Sequence, residues 1–224
     1  MEQFLEAFFN LETMAQYWPI MLRGLGWTAL LCVTIVPIGL GAGAAIACVY
    51  ALKVRGLNPA IIAYVDFFRS FPPLVLLVFI YNGLPFVGFD IPPFAAVVLA
   101  LVLNSSSYYG EIFRAGIESI PRGQVEAARS TGLTKVQALV FVVMPQAVRN
   151  VLPPLTSNTL ELVKATSLAS VVALPELLRS ARIIQGLAYN PTPLIAAAVV
   201  YFLLLWPLVR LVSRLERGMV ASYR

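Results

Sequence analysis

The sequence contains no histidine, and only 12% of its 224 residues are charged. Soluble domains carry about 25% charge, so this chain has too little polar surface to cover a globule in water. It has two cysteines, Cys32 and Cys48, both inside the first long apolar run. That placement excludes a disulfide framework and a zinc site; two small apolar residues packed in a helix are the expected reading. No GxxxxGK[ST] occurs, so the chain has no loop to cradle ATP phosphates. Without histidine there is no ready general base, and no nucleophile is paired with one. An intramembrane enzyme is therefore disfavoured.

What is present is apolar: 59% of residues, with a mean hydropathy of +0.83. The net charge of +5 and pI near 9.4 do not indicate nucleic acid. The basic residues lie in short clusters between apolar runs, the pattern of positive-inside loops. The N-terminus carries Glu2, Glu6 and Glu12 where a cleaved signal would be basic, so the first run is expected to be a retained anchor.

Five stretches match the roughly 20 residues that cross about 30 Å of hydrocarbon. They cover about 22–52, 59–81, 93–117, 152–174 and 193–212. Lys53 and Arg55 follow the first; Arg114, Arg122, Arg129, Lys135 and Arg149 follow the third; Arg210, Arg214, Arg217 and Arg224 close the fifth. Arg23, Arg179 and Arg182 lie on the other side. The basic excess predicts an outside N-terminus and a cytoplasmic C-terminus. The expectation is an all-α membrane protein of one domain, 1–224, with five transmembrane helices. Gly39, Gly41 and Gly43, among Ala42, Ala44 and Ala45, would allow close helix approach within the subunit or against a second one.

Residues 118–147 are mostly too polar to span. A short helix fits Gln124 to Ser130, stopped by Gly132 in a left-handed conformation. Thr134 with Gln137 forms a capping box for a second helix, which Pro145 should end or kink. Glu126-Ala127-Ala128, Gly132 and Pro145 also stand at the spacing of the EAA loop of ABC importer permeases, with Val142 and Met144 replacing its Ile and Leu.

The resemblance extends from about Leu22 to Arg217. Phe68-Arg69-Ser70-Phe71-Pro72-Pro73-Leu74 resembles the FRGTPLL stretch of polar amino-acid permeases, and Tyr81-Asn82-Gly83-Leu84-Pro85 is similar to the next motif of those permeases. Tyr108 to Ile117, Leu152-Pro153-Pro154-Leu155 and Lys164-Ala165-Thr166-Ser167-Leu168 look like their later motifs, with Ala165 where the family commonly has Asp. The chain is thus identified as resembling the membrane-spanning subunit of an ABC-type polar amino-acid importer of the type I permease fold. The resemblance implies a dimer, with a second copy or a related permease, seated on two ATPase subunits that bind ATP and magnesium. It implies no cofactor in this chain, a substrate-binding protein as partner, and Glu126, Ala127, Ala128, Gly132 and Pro145 as the ATPase-coupling residues. The alternative is a self-sufficient secondary carrier; such proteins are usually built from internal repeats, and none is evident here.

Charges inside spans cost roughly 2.5–3.5 kcal/mol each, so they mark cavities or function. Asp66 with Arg69, Glu111 with Arg114, and Glu161 with Lys164 stand three apart, as helix neighbours that can neutralise one another. Pro72 and Pro73 cannot donate to the carbonyls of Phe68 and Arg69, so the second span should kink with two free acceptors. In the fourth span Ser157, Glu161 and Lys164 fall on one face and Thr159, Thr166 and Ser170 on the opposite one. The expected substrate path comprises Arg69, Glu161, Lys164, Thr166 and Ser167, the cations meeting a carboxylate and Glu161 an ammonium. For Glu111 and Arg114, near the end of the third span, an internal pair is expected, with Arg114 snorkelling to the interface. The segment Pro175 to Thr192, with Glu176, Arg179 and Arg182, reads as a solvated loop or a docking surface for the binding protein.

Overall fold

The computed structural model describes residues 8–53 and 56–221. Glu2, Glu6, Arg55 and Arg224 lie outside them, and the side chain of Arg217 is likewise not described. The described residues are helical throughout, with no strand. In chain order the helices are α1 (Leu11–Ala51), α2 (Leu57–Ser70), α3 (Pro73–Gly83), α4 (Pro93–Glu118), α5 (Arg122–Ser130), α6 (Lys135–Ala138), α7 (Met144–Ala165), α8 (Leu177–Ala188) and α9 (Thr192–Ala221). A π-helical turn, Leu139–Val143, joins α6 to α7, and a 3-10 segment, Thr166–Val172, continues α7.

Four helical runs are long and apolar enough to cross a membrane: Leu11–Ala51, Pro93–Glu118, Lys135–Val172 and Thr192–Arg210. The fifth is α2 with the segment Pro73–Val87, bent by 98°. At 1.5 Å per residue the 14-residue α2 is about 21 Å long, too short to cross alone. The expected second span is therefore a broken one, as Pro72 and Pro73 require. Both freed acceptors are satisfied by α4. The side-chain amide of Asn104 donates to the carbonyl oxygens of Phe68 (2.8 Å) and Phe71 (3.3 Å), and the Tyr108 hydroxyl donates to that of Arg69 (3.2 Å). Irregular backbone at membrane depth is tolerated when protein groups satisfy it in this way.

Helix α4 is the centre of the bundle. It packs on α1, α2, α3 and α7, and its Val97, Leu101, Tyr109 and Phe113 join Leu31, Ile35, Leu77 and Leu155 in the main core. A Cβ on Gly39 would stand 2.5 Å from Ser105 Oγ, and one on Gly43 would stand 2.4 Å from Tyr109 Cβ. This four-residue glycine spacing lets the two backbones meet, whereas Gly41 faces open space. The small residues at 39 and 43 thus serve packing within the subunit.

Two expectations are corrected. Pro145 does not end its helix: the run from Lys135 continues to Val172, through the π turn that immediately precedes the proline. The wider turn re-routes backbone bonds where the proline has no N–H to give. Pro175 to Thr192 is not a solvated loop. Its α8 buries Leu177, Ala181 and Ile184 in a second core with Met21 of α1 and Ala197 of α9.

Candidate functional site

The polar turn between the long spans is built from local signals. Pro121 precedes α5, on which Glu126 and Ala127 are exposed and Ala128 is buried. The amide of Thr131 donates to Ala127 O (3.2 Å), and the Thr131 hydroxyl donates to Ala128 O (2.8 Å). Gly132 then turns the chain at φ +91, where L-residues with side chains are strained. Thr134 and Gln137 form the reciprocal capping box that starts α6. Glu126, Ala127 and Gly132 are exposed on this turn, while Pro145 lies further on, behind the π turn. From Lys135 the chain is helical without interruption to Val172, through Glu161 and Lys164.

The charged residues within the spans separate into two groups. Arg69 ends α2 beside the bend; its guanidinium lies 3.7 Å from Glu111 and 5.4 Å from the ring centroid of Tyr108. It does not pair with Asp66 as the spacing suggested; its carboxylate neighbour is Glu111 of α4. Arg114 grips Glu111 through two bonds of 2.9 and 2.6 Å and reaches Glu118 at 2.7 Å. Two guanidiniums and two carboxylates thus neutralise one another in a chain from Arg69 to Glu118. The second group is the Lys164–Glu161 pair at 2.6 Å, with side chains 50% and 70% exposed. Among the described residues no ion pair joins the two groups.

The two polar faces of α7 have different fates. Thr159 shares a hydrogen bond of 2.8 Å with Tyr109 of α4, and Thr166 and Ser170 are buried. Ser157, Glu161 and Lys164 form the exposed face. Ser167 is half-buried, its hydroxyl donating to Lys164 O, while Thr166 is wholly buried and donates to Val163 O. Of the five residues expected along a path, Thr166 is thus the one directed into the bundle. No group of three or more His, Cys, Asp or Glu among the described residues could hold a metal.

Sequence reasoning missed the part played by Glu176. It is completely buried and caps α8, accepting from the backbone amides of Leu178 (2.9 Å) and Arg179 (2.7 Å) and from the Tyr201 hydroxyl (3.1 Å). Burial pushes its carboxyl up from the ordinary value, against the lowering effect of these donors. Arg179 donates to Ser170 O at 3.2 Å, which leaves Arg182 as the exposed cation of the three charges in this segment. Apolar residues at helical spacing, 177, 181 and 184, were there to be read, but glutamate is not a favoured N-cap residue, so the cap itself was not marked.

The chain was then compared with known proteins. Residues 35–221 match the family described as the binding-protein-dependent transport system inner membrane component. A relative in Bacillus subtilis, "Probable amino-acid ABC transporter permease protein YckA", is 35% identical over 198 residues, 88% of each chain. The arginine transport system permease protein ArtQ of the same organism is 35% identical over 209 residues, 91% of this chain and 94% of that one. A crystal structure of an amino acid ABC transporter with histidines superposes with a TM-score of 0.83 at 37% identity, over 93% of this chain and 98% of the other. The helices, the broken second span and these matches agree: the chain belongs to the binding-protein-dependent transport system inner membrane components, as a multi-pass ABC transporter permease of the bacterial inner membrane.

Proposed function

We propose that this permease forms the membrane path of an ATP-driven importer for polar amino acids or close derivatives such as opines. Its basic end is cytoplasmic and its N-terminus outside. Two permeases, identical or related, sit on two ATPase subunits, which bind ATP and magnesium, and a substrate-binding protein delivers the cargo from outside. Glu126, Ala127 and Ala128 with Gly132 seat in the ATPase, and Pro145 fixes the entry to the span behind them. The carrying observation is the continuous helical run from Lys135 to Val172. At 1.5 Å per residue it sets Lys164 about 44 Å of helix from the coupling turn, by way of the π turn and Pro153-Pro154. A displacement at Gly132 is therefore transmitted to the Glu161–Lys164 face instead of being absorbed in a flexible connector.

An exposed ion pair on a span does not face lipid tails. Glu161 and Lys164 are read as lining the path or the seam between two permeases, with Ser167 beside them and Arg69 at the break. Lys164 and Arg69 suit a substrate carboxylate, and Glu161 suits its ammonium. Thr166 contributes by fixing the turn into the 3-10 segment. The relatives' names, amino-acid and arginine permeases, support this cargo class.

Three experiments test the reading. Gentle extraction of the tagged chain should recover a P-loop ATPase in equal number to permease chains. Uptake should stop when ATP is removed with ion gradients held; continued uptake would favour a secondary carrier. Lys164→Gln should lower uptake or shift substrate preference at unchanged expression, and no change in either would remove Lys164 from the path.

A further inference from the structure

At the basic end of the bundle, the last turn of α1, the end of α4, helix α5 and the π turn enclose a cleft of about 740 Å³. That lies within the roughly 300–1,000 Å³ of small-ligand sites. One part of its wall is apolar and partly exposed: Ala51, Leu52, Ile117 and Val125. The other is polar and belongs to the connections: Lys53, Arg122, Lys135 and Glu126. Arg114 and Glu118 also line it, but they are bonded to each other at 2.7 Å. Lys135 donates to the carbonyl of Leu52, which closes the end of α1. Lys53 and Arg122 are exposed and make no ion pair among the described residues. Glu126 is the one remaining carboxylate among the described residues of this wall, so the cleft carries an excess of positive charge beside apolar walls.

We propose that this cleft seats an anionic phospholipid of the inner leaflet, its phosphate between Lys53 and Arg122 and its glycerol and upper acyl carbons along Ala51, Ile117 and Val125. The inference rests on the orientation proposed above, which puts this end in the cytoplasm. Basic pockets between spans on that side suit anionic headgroups. A free phosphate would satisfy the cations and leave the apolar wall wet, so the amphiphile is the better fit. Seated there, the lipid ties the end of α1 to the first turn of α5. The membrane would then help hold the coupling helix in register.

The test uses the whole purified chain in mild detergent and native mass spectrometry. Dioctanoyl phosphatidylglycerol should be retained, and dioctanoyl phosphatidylcholine should not. Lys53→Gln with Arg122→Gln should retain roughly thirtyfold less phosphatidylglycerol, the effect of two cations lost at a lipid surface. Lys53→Arg with Arg122→Lys should retain it, showing that charge and not misfolding governs the loss. Equal retention of both lipids, full retention by the double Gln variant, or displacement of the lipid by inorganic phosphate would each overturn the proposal. The measurement needs neither ATPase nor transport, so its failure leaves the importer reading untouched, and loss of that reading leaves the lipid result standing.

Discussion

The break in the second span depends on a side chain from another helix, and that dependence can be measured at Asn104. Its amide is buried at 7% exposure and donates to Phe68 O at 2.8 Å and Phe71 O at 3.3 Å. Asn104→Leu keeps the branching and the number of heavy atoms but removes both donors. A buried acceptor left unpaired costs about 1–3 kcal/mol, and the longer bond to Phe71 adds little, so the expected loss is about 2 kcal/mol. For a chain of this size about 2–4 °C is lost per kcal/mol, which predicts a melting temperature lower by about 4–8 °C in detergent. Tyr108→Phe removes the 3.2 Å bond to Arg69 O, an exposed site where water can substitute, and should cost less than half as much. The assay is thermal unfolding followed by loss of monodisperse protein. An unchanged melting temperature for Asn104→Leu, or a larger loss for Tyr108→Phe, would refute the claim that α4 satisfies the carbonyls that the prolines leave free.

Three further outcomes are expected. Gly43→Ala places a methyl 2.4 Å from Tyr109 Cβ and 2.8 Å from Gly110 N, and should destabilise by about 1–3 kcal/mol. Gly41→Ala, facing open space, should be neutral or stabilising, and equal melting temperatures for the two variants would contradict the glycine contact. Gly132→Ala forces an alanine to φ +91, costing about 1–2 kcal/mol; faster hydrogen exchange across 122–134 should report it, and an unchanged rate would speak against the strained turn. Because the folded carboxyl of Glu176 titrates above its ordinary value of 4.5, the folded state holds the proton longer than the unfolded one. Its contribution is therefore full below pH 4.5 and is lost as pH rises through the folded value. Stability of the wild type should fall over that window relative to Glu176→Gln, and parallel pH profiles would discount the shift.

Much of the site was legible because its signals are local. The left-handed turn at Gly132, the capping box of Thr134 with Gln137, and the break at Pro72 and Pro73 each depend on residues a few positions apart. The failures have one character. Arg69 was paired with Asp66 by helical spacing, but its partner is Glu111 on another helix. Pro145 was expected to end or kink its helix, and the helix continues past it by way of a π turn. Glu176 was read as a loop charge because nothing nearby in sequence reveals Tyr201 or Thr28, which close over its end of α8.

The sequence alone determined the solvent, the apolar helices and the turn at Gly132. Hydropathy is a sum over residues, and capping and proline effects reach no further than a turn. The tertiary structure alone decided which of the two polar faces of α7 is spent inside, where Thr159 meets Tyr109, and which is left outward, with Glu161 and Lys164. It also decided who satisfies the carbonyls freed at the bend. These are pairings between groups 36 to 50 residues apart, and only the approach of α2 and α7 to α4 brings such partners within hydrogen-bonding distance.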